Sequence, residues 1–278
     1  MKDRAYAKIN LALDVFNRRA DGYHDISSIM LPISFYDDLE ISISDVDNYT
    51  YNRTNVEFNE QNSIYKMIEA VRKKYGINAH YSIVLNKCVP LRAGLGGGTS
   101  DAASTLRLLK RLHHLKPSYE EAKELCMSVG ADVLFSYVNK PALVSGLGDV
   151  VEPIKVKKTY YVLIVKPKYG ISTKQAYEML DMEKANHPNI EALKNALENG
   201  DDLTGLLGNS LEQPALLLNK EIDVIKNKLI NAGASNVAMS GSGSGVFALC
   251  ESEEEMMRLY EIFKNSVYFV RFAKTLGN

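Results

Sequence analysis

The chain has 278 residues, 46% apolar and 24% charged, with 33 lysines and arginines against 34 aspartates and glutamates. That length can bury one large or two smaller cores, while a formal charge of −1 supplies no basic surface for nucleic acid, and no uncharged apolar run reaches bilayer length. Cys88, Cys126 and Cys250 are widely spaced and form no CxxC pair, which argues against a disulfide framework or a structural zinc site. The opening MKDRAYAKIN has charges but no apolar stretch of signal-peptide length behind it, so a soluble, cytoplasmic protein without membrane or nucleic-acid partners is expected.

In chain order, alternation over Ala5, Ala7, Ile9, Leu11, Leu13 and Val15 predicts a strand whose other side carries Tyr6, Lys8, Asn10, Ala12 and Asp14. Arg18 to His24 reads as a turn, Ile26 to Phe35 as a second strand and Leu39 to Ile43 as a third. Asn62 to Tyr75 has helical spacing, and His80–Leu85 reads as a strand. A helix follows from Thr99, Ser100 and Asp101 onward, and another over Ser118 to Ser128, where Ser118 and Glu121 are spaced as a capping box. Strands are expected at Ala142–Ser145 and Tyr160–Lys166. The lysine-rich connection between them places a boundary that divides the chain into domains 1–155 and 156–278. Beyond it helices are expected at Thr173–Leu180, Asn189–Glu198, Leu203–Leu218 and Glu221–Ala232. Strands at Asn236–Met239 and Val246–Cys250 bracket a second glycine-rich turn, and a helix at Glu253–Lys264 and a strand at Val267–Phe272 close the chain. Strands followed by helices in each half argue for an α+β fold.

The run Pro90 to Ala103, PLRAGLGGGTSDAA, is the richest in chemistry. Gly94, Gly96, Gly97 and Gly98 can take positive φ and let backbone amides approach an anion, and the helix that follows presents unpaired N–H groups and a positive dipole end. A P-loop is excluded because no lysine follows the last glycine, and a dinucleotide GxGxxG fails at Thr99. The alternative is a flexible turn without a ligand. Lys8 and Asn10 share one side of their strand, either as a snorkelling lysine on a solvated face or as a polar pair turned to a substrate. Asp132, amid Val129, Val133, Leu134 and Phe135, reads either as an N-cap or as a carboxylate that pairs with Lys8 beside a substrate hydroxyl. Ser240 to Gly245 reads as a tight strand connection or a second close-approach loop, and Tyr23 with His24 as a surface turn or a stacking pair.

Together, AYAKINLALDV, RRADGYHDI, PLRAGLGGGTSDAA, VGADVLF and MSGSGSGVFAL occur in an order and spacing that resemble the GHMP kinases over nearly the whole chain. The resemblance implies a ribosomal-S5-like N-terminal domain that binds ATP and a ferredoxin-like C-terminal domain. It also implies transfer of the γ-phosphoryl group of ATP to the 2-hydroxyl of the methylerythritol portion of a cytidine-diphosphate conjugate, a step toward isoprenoid precursors by the non-mevalonate route. Carried over by motif, Lys8 and Asp132 are the catalytic pair. Pro90, Leu91, Arg92, Ala93, Gly94, Leu95, Gly96, Gly97, Gly98, Thr99 and Ser100 form the ATP loop, with Mg2+ bridging phosphate oxygens, few direct protein ligands to it, and Ser100 the best candidate for one. Asn10, Tyr23, His24 and Tyr177 meet the second substrate, the two tyrosines sandwiching cytosine and His24 reading its edge. Leu134 stands where the family usually has proline, and Arg92 where a small residue is common; the resemblance therefore implies a less rigid backbone after Asp132 and a changed phosphate loop. Kinases for homoserine or a mevalonate derivative, and a non-catalytic ligand-binding protein of this fold, are the alternatives.

Overall fold

A computed structural model of the chain describes residues 1–52 and 57–277. It resolves into two compact units, each assembled from separate stretches: Met1–Ala7, Phe35–Pro90 and Gly96–Asn139 form the first, and Lys8–Ser34, Leu91–Leu95 and Lys140 onward form the second. Two long strands, β1 (Lys2–Arg18) and β2 (His24–Ser44), contribute residues to both. The two strands expected at 26–35 and 39–43 are therefore one. The Tyr36–Asp38 stretch between them stays in the ladder because Asp37 is buried with hydrogen-bond partners, and Asp38 pairs with Asn86.

In the first unit, β3 (Asn48–Tyr51) runs parallel to β4 (His80–Asn86), which pairs antiparallel with β2 from Asp38 to Ser44. The helix α1 (Ser63–Tyr75) starts where the Asn62 side chain accepts the Ile64 N–H and stops at Gly76, whose φ of +65° continues no helix. It buries Ile64, Met67, Ile68 and Val71 beside α2 (Gly97–Leu112), whose Leu106, Leu108 and Leu109 are buried. The capping box of Ser118 and Glu121 opens α3 (Tyr119–Val129) as expected, and α4 (Val133–Val138) packs on α2 and α3. The short strand β3 carried too little alternation to be expected.

In the second unit, β2 pairs from Ile26 to Met30 with β5 (Ala142–Gly146), and β5 pairs with β6 (Val150–Pro153). A separate antiparallel sheet has the order β11-β7-β10-β9, built from β7 (Tyr161–Lys166), β9 (Val237–Met239), β10 (Val246–Cys250) and β11 (Phe269–Lys274). The helices of this unit are α5 (Thr173–Glu178), α6 (Ile190–Asn199), α7 (Glu212–Leu218), α8 (Glu221–Asn231) and α9 (Glu253–Phe263). Ile222, Ile225 and Leu229 of α8 and Met256, Leu259 and Phe263 of α9 share an apolar cluster with Leu163, Val165, Val246 and Ala248.

The helix expected over 203–218 begins only at Glu212. Before it, β8 (Gly208–Asn209) pairs in parallel with Ala12 and Leu13 of β1, and the Asn209 amide is held by the carbonyls of Met239 and Gly241, 2.8 Å from each. Pro214 is tolerated in the first turn of α7, where its missing N–H has no intrahelical acceptor to lose. Sheets and helices are segregated as an α+β fold requires. Among the described residues, no helix is long and apolar enough to cross a membrane.

Candidate active site

Period-two geometry puts Lys8 and Asn10 on one side of β1, and in the second unit that side is covered: the two residues are 3% and 2% exposed. A snorkelling lysine on a solvated face is thereby excluded. Lys8 Nζ donates to Asn10 Oδ1 at 2.5 Å, Asn10 Nδ2 donates to Ser28 Oγ at 2.9 Å, and Ser28 Oγ donates to the Ala12 carbonyl at 2.7 Å. This chain fixes the amide orientation, so Asn10 turns its oxygen toward the ammonium.

What covers this side is a pair of backbone loops. The Lys8 N–H donates to the Leu95 carbonyl at 3.0 Å, and the Asn10 N–H to Ser240 Oγ at 3.3 Å. Ser240 Oγ in turn donates to the Gly94 carbonyl at 2.9 Å. The two loops then zip together, Ser244 N–H to Arg92 O and Gly245 N–H to Ala93 O. The approach is possible only with glycine: a Cβ on Gly94, at φ +71°, would stand 1.8 Å from the Ser240 carbonyl oxygen, and one on Gly245 would stand 2.5 Å from that of Ala93. Ser240 to Gly245 is thus a close-approach loop. Arg92 holds φ +51°, a left-handed conformation fixed by its carbonyl bond to Ser244 and by Gly170, whose Cβ would meet that of Arg92 at 2.3 Å.

The remainder of the glycine run belongs to the first unit. Gly96 caps α2 at φ +70°, so the helix begins at Gly97, two residues earlier than Thr99, and the amides of Gly97, Gly98 and Thr99 have no carbonyl one turn back to bond. A Cβ on Gly97 would lie 3.0 Å from both Lys87 Nζ and Val89 Cγ1. Thr99 Oγ1 and Ser100 Oγ turn inward onto the carbonyls of Gly96 and Gly97, and Ser63 Oγ holds that of Gly98 at 2.6 Å. A helix N-terminus stripped of side chains and stiffened from below is what a phosphate oxygen requires.

Asp132 precedes α4 with helical backbone angles and makes no capping hydrogen bond, so the N-cap explanation of this carboxylate fails. Its carbonyl accepts from Ser136 N–H and Oγ, which fixes the backbone that carries it. Leu134, at the position of the family's usual proline, is fully buried and anchors this turn by packing.

In the second unit, the β1–β2 turn presents Tyr23, 68% exposed, and His24. The His24 ring lies 5.7 Å from that of Tyr177 on α5, tilted by 32°. Burial, aided by the Arg18 charge, lowers the His24 pKa, so the imidazole is neutral at neutral pH and can both donate and accept. Thr173 at the start of α5 bonds Ser242 at 2.8 Å, tying the helix that carries Tyr177 to the glycine loop. Sequence reasoning missed Ser28 and Asn209, which hold Asn10 and the Ser240 loop. Ser28 lay in an apolar strand and Asn209 inside an expected helix, so neither gave a signal.

Family models match in two places: "GHMP kinases N terminal domain" over residues 62–140 and "GHMP kinases C terminal" over residues 182–268. A protein of Thermodesulfovibrio yellowstonii named 4-diphosphocytidyl-2-C-methyl-D-erythritol kinase is 40% identical over 98% of this chain and 97% of its own. One of the same name from Bacillus pumilus is 38% identical over 97% and 96%. The crystal structure of a 4-(cytidine 5'-diphospho)-2C-methyl-D-erythritol kinase superposes over the full length of both chains with a TM-score of 0.83 at 30% identity. With glycine loops, buried lysine and full-length similarity in agreement, the chain belongs to the GHMP kinase family, and these full-length relatives carry the name 4-diphosphocytidyl-2-C-methyl-D-erythritol kinase.

Proposed function

We propose that the protein is an ATP-dependent kinase that phosphorylates the 2-hydroxyl of 4-diphosphocytidyl-2-C-methyl-D-erythritol in the cytoplasm, on the non-mevalonate route to isoprenoid precursors. The observation that carries this reading is the shared name of relatives about two-fifths identical over nearly the whole chain. The division into an ATP-binding half, 1–155, and a second half, 156–278, belongs to the proposal, and the two matched family models fall one in each.

In this mechanism the substrate hydroxyl oxygen attacks the γ-phosphorus, the bond to the β–γ bridging oxygen breaks, and ADP leaves. Asp132 accepts the hydroxyl proton and orients the oxygen. Because phosphoryl transfer passes through a loose transition state, alignment contributes as much as basicity. Lys8, its ammonium fixed on Asn10 Oδ1, supplies positive charge at the reacting oxygens. Amides at the start of α2 bind the ATP phosphates, and Tyr23, His24 and Tyr177 read the cytidine end. Magnesium would arrive with its substrate as the MgATP chelate and would offset phosphate charge; among the described residues no three His, Cys, Asp or Glu side chains are grouped to hold a metal ion, and no step is assigned to a protein-bound one.

The test is a coupled ADP-release assay with MgATP and, in turn, the cytidine conjugate, homoserine and mevalonate. Turnover is expected with the first alone, and Asp132→Asn is expected to lower kcat by roughly 10²–10⁴. Turnover with homoserine or mevalonate instead would overturn the substrate assignment, and silence with all three would leave a ligand-binding protein.

A further inference from the structure

Within the first unit, the chain entering the phosphate turn and the helix leaving it are joined by a buried charge cluster for which the mechanism above has no use. Asp37 of β2 accepts the backbone N–H groups of Cys88 at 2.5 Å and Val89 at 2.7 Å, the last amides before Pro90, both on Oδ1. Its other oxygen lies 2.5 Å from Lys87 Nζ, and the same ammonium lies 2.6 Å from Asp101 Oδ2 in α2. All three side chains are buried. Lys87 Nζ also sits against the first residue of α2, where Gly97 has no Cβ to displace it.

We propose that Asp37, Lys87 and Asp101 form a brace that sets the first turn of α2 against the incoming chain, making Lys87 and Asp101 positioning residues for the nucleotide phosphates. This rests on the reading of that turn as the ATP phosphate site. Stability alone is a poor reason for the cluster, because buried ions seldom outperform apolar residues of similar volume. Here the network is not even fully satisfied: among the described residues, Asp101 Oδ1 has no hydrogen-bond partner. What it supplies is location, one ammonium tying the exit helix to the carboxylate that already clasps two entry amides. Burial pulls the Lys87 pKa down, yet Asp101 and Asp37 outweigh it and hold the ammonium charged.

The experiment measures MgATP affinity by calorimetry, and KM and kcat for both substrates, in wild type, Asp101→Asn, Lys87→Met and Ser104→Ala. Ser104 lies in the same helix and bonds Asp3 at 2.7 Å, so its loss reports generic damage to α2. Asp101→Asn keeps shape and volume and remains informative if Lys87→Met, which strands two carboxylates, does not fold. The expected result is a rise of about tenfold or more in the KM and Kd for MgATP in Asp101→Asn, with the KM for the cytidine conjugate unchanged and kcat at saturating ATP falling less than KM rises. Ser104→Ala should lower Tm without moving the KM for MgATP. Equal MgATP affinity in Asp101→Asn and wild type, or losses in both substrates that track Tm as in Ser104→Ala, would overturn the brace and leave the functional reading intact. A wild type that binds MgATP but ignores the cytidine conjugate would overturn the functional reading alone, and one that binds no MgATP would overturn both.

Discussion

Replacing Gly94 with alanine tests the close approach of the two glycine loops, and Gly205→Ala provides its control. Both glycines have positive φ, +71° and +79°, so both variants incur the left-handed penalty of roughly 1–2 kcal/mol. Only Gly94 is also crowded: a Cβ there falls 1.8 Å from the Ser240 carbonyl oxygen and 2.7 Å from its carbon, whereas at Gly205 nothing lies within 4 Å. The loops would have to part by about 1.5 Å to restore ordinary contact. Each is held by its own bonds, Ser240 N–H to Gly245 O and Lys8 N–H to Leu95 O. Overpacking adds about 1–3 kcal/mol, and loss of the Ser240 to Gly94 hydrogen bond about 1 kcal/mol more. Gly94→Ala should therefore be less stable than Gly205→Ala by roughly 2–4 kcal/mol in urea unfolding at constant m. It should also lower kcat, because the displaced segment carries the carbonyl that bonds the Lys8 amide. If the two variants differed by less than about 1 kcal/mol, the contact would not be the constraint the geometry describes.

Two further outcomes follow from the same structure. Tyr177→Leu keeps apolar contact with the core beside α5 but removes the ring; the KM for the cytidine conjugate should rise by roughly 5- to 150-fold, the equivalent of about 1–3 kcal/mol of base stacking, with the KM for ATP unchanged, and an equal rise in both would refute a cytosine-reading role. Burial pushes the Asp101 carboxyl up to about 7, with Lys87 opposing and Asp37 adding to the shift, while Tyr51 of β3 lies close enough to feel its charge. Its folded pKa thus lies above its unfolded one, so the protonated carboxyl contributes stability that is full below about pH 4 and lost as pH rises through about 7. Unfolding free energy measured from pH 4 to 8 should decline less steeply in Asp101→Asn than in wild type, and parallel profiles would refute the assignment.

Elements whose signal is local were legible in the sequence. Alternation marked β1, the Ser118–Glu121 spacing marked the start of α3, and glycines marked the two turns that need positive φ. Elements whose cause lies elsewhere in the chain were not. The continuity of β2 through Asp37 depends on amides 51 and 52 residues away. The 203–211 stretch carries leucines at helical spacing, yet Asn209 is drawn into a strand by carbonyls 30 and 32 residues further on. Propensity lost to tertiary pairing in both cases.

The site divides along the same line, and the glycines show why. Gly97 and Gly98 leave amides open at a helix end, a role that depends only on their neighbours in sequence and could be read as a phosphate cradle. Gly94 and Gly245 are needed because one loop lies against another about 150 residues away, and sequence alone could not distinguish that from a flexible turn. Lys8 and Asn10 have the same dual character. Period-two spacing places them together, but whether that face meets solvent depends on Ser28, Ser240 and the Leu95 carbonyl. The Lys8 side chain, 3% exposed, donates to Asn10 on its own strand; Asn10 is held in turn by Ser28 of β2 and Ser240 of the second glycine loop, while Leu95 of the first accepts the Lys8 amide. A lost contact in either loop therefore reaches the ammonium through Asn10 or its own amide, so substitutions at Ser240 or Gly94 should change kcat more than they change the binding of either substrate.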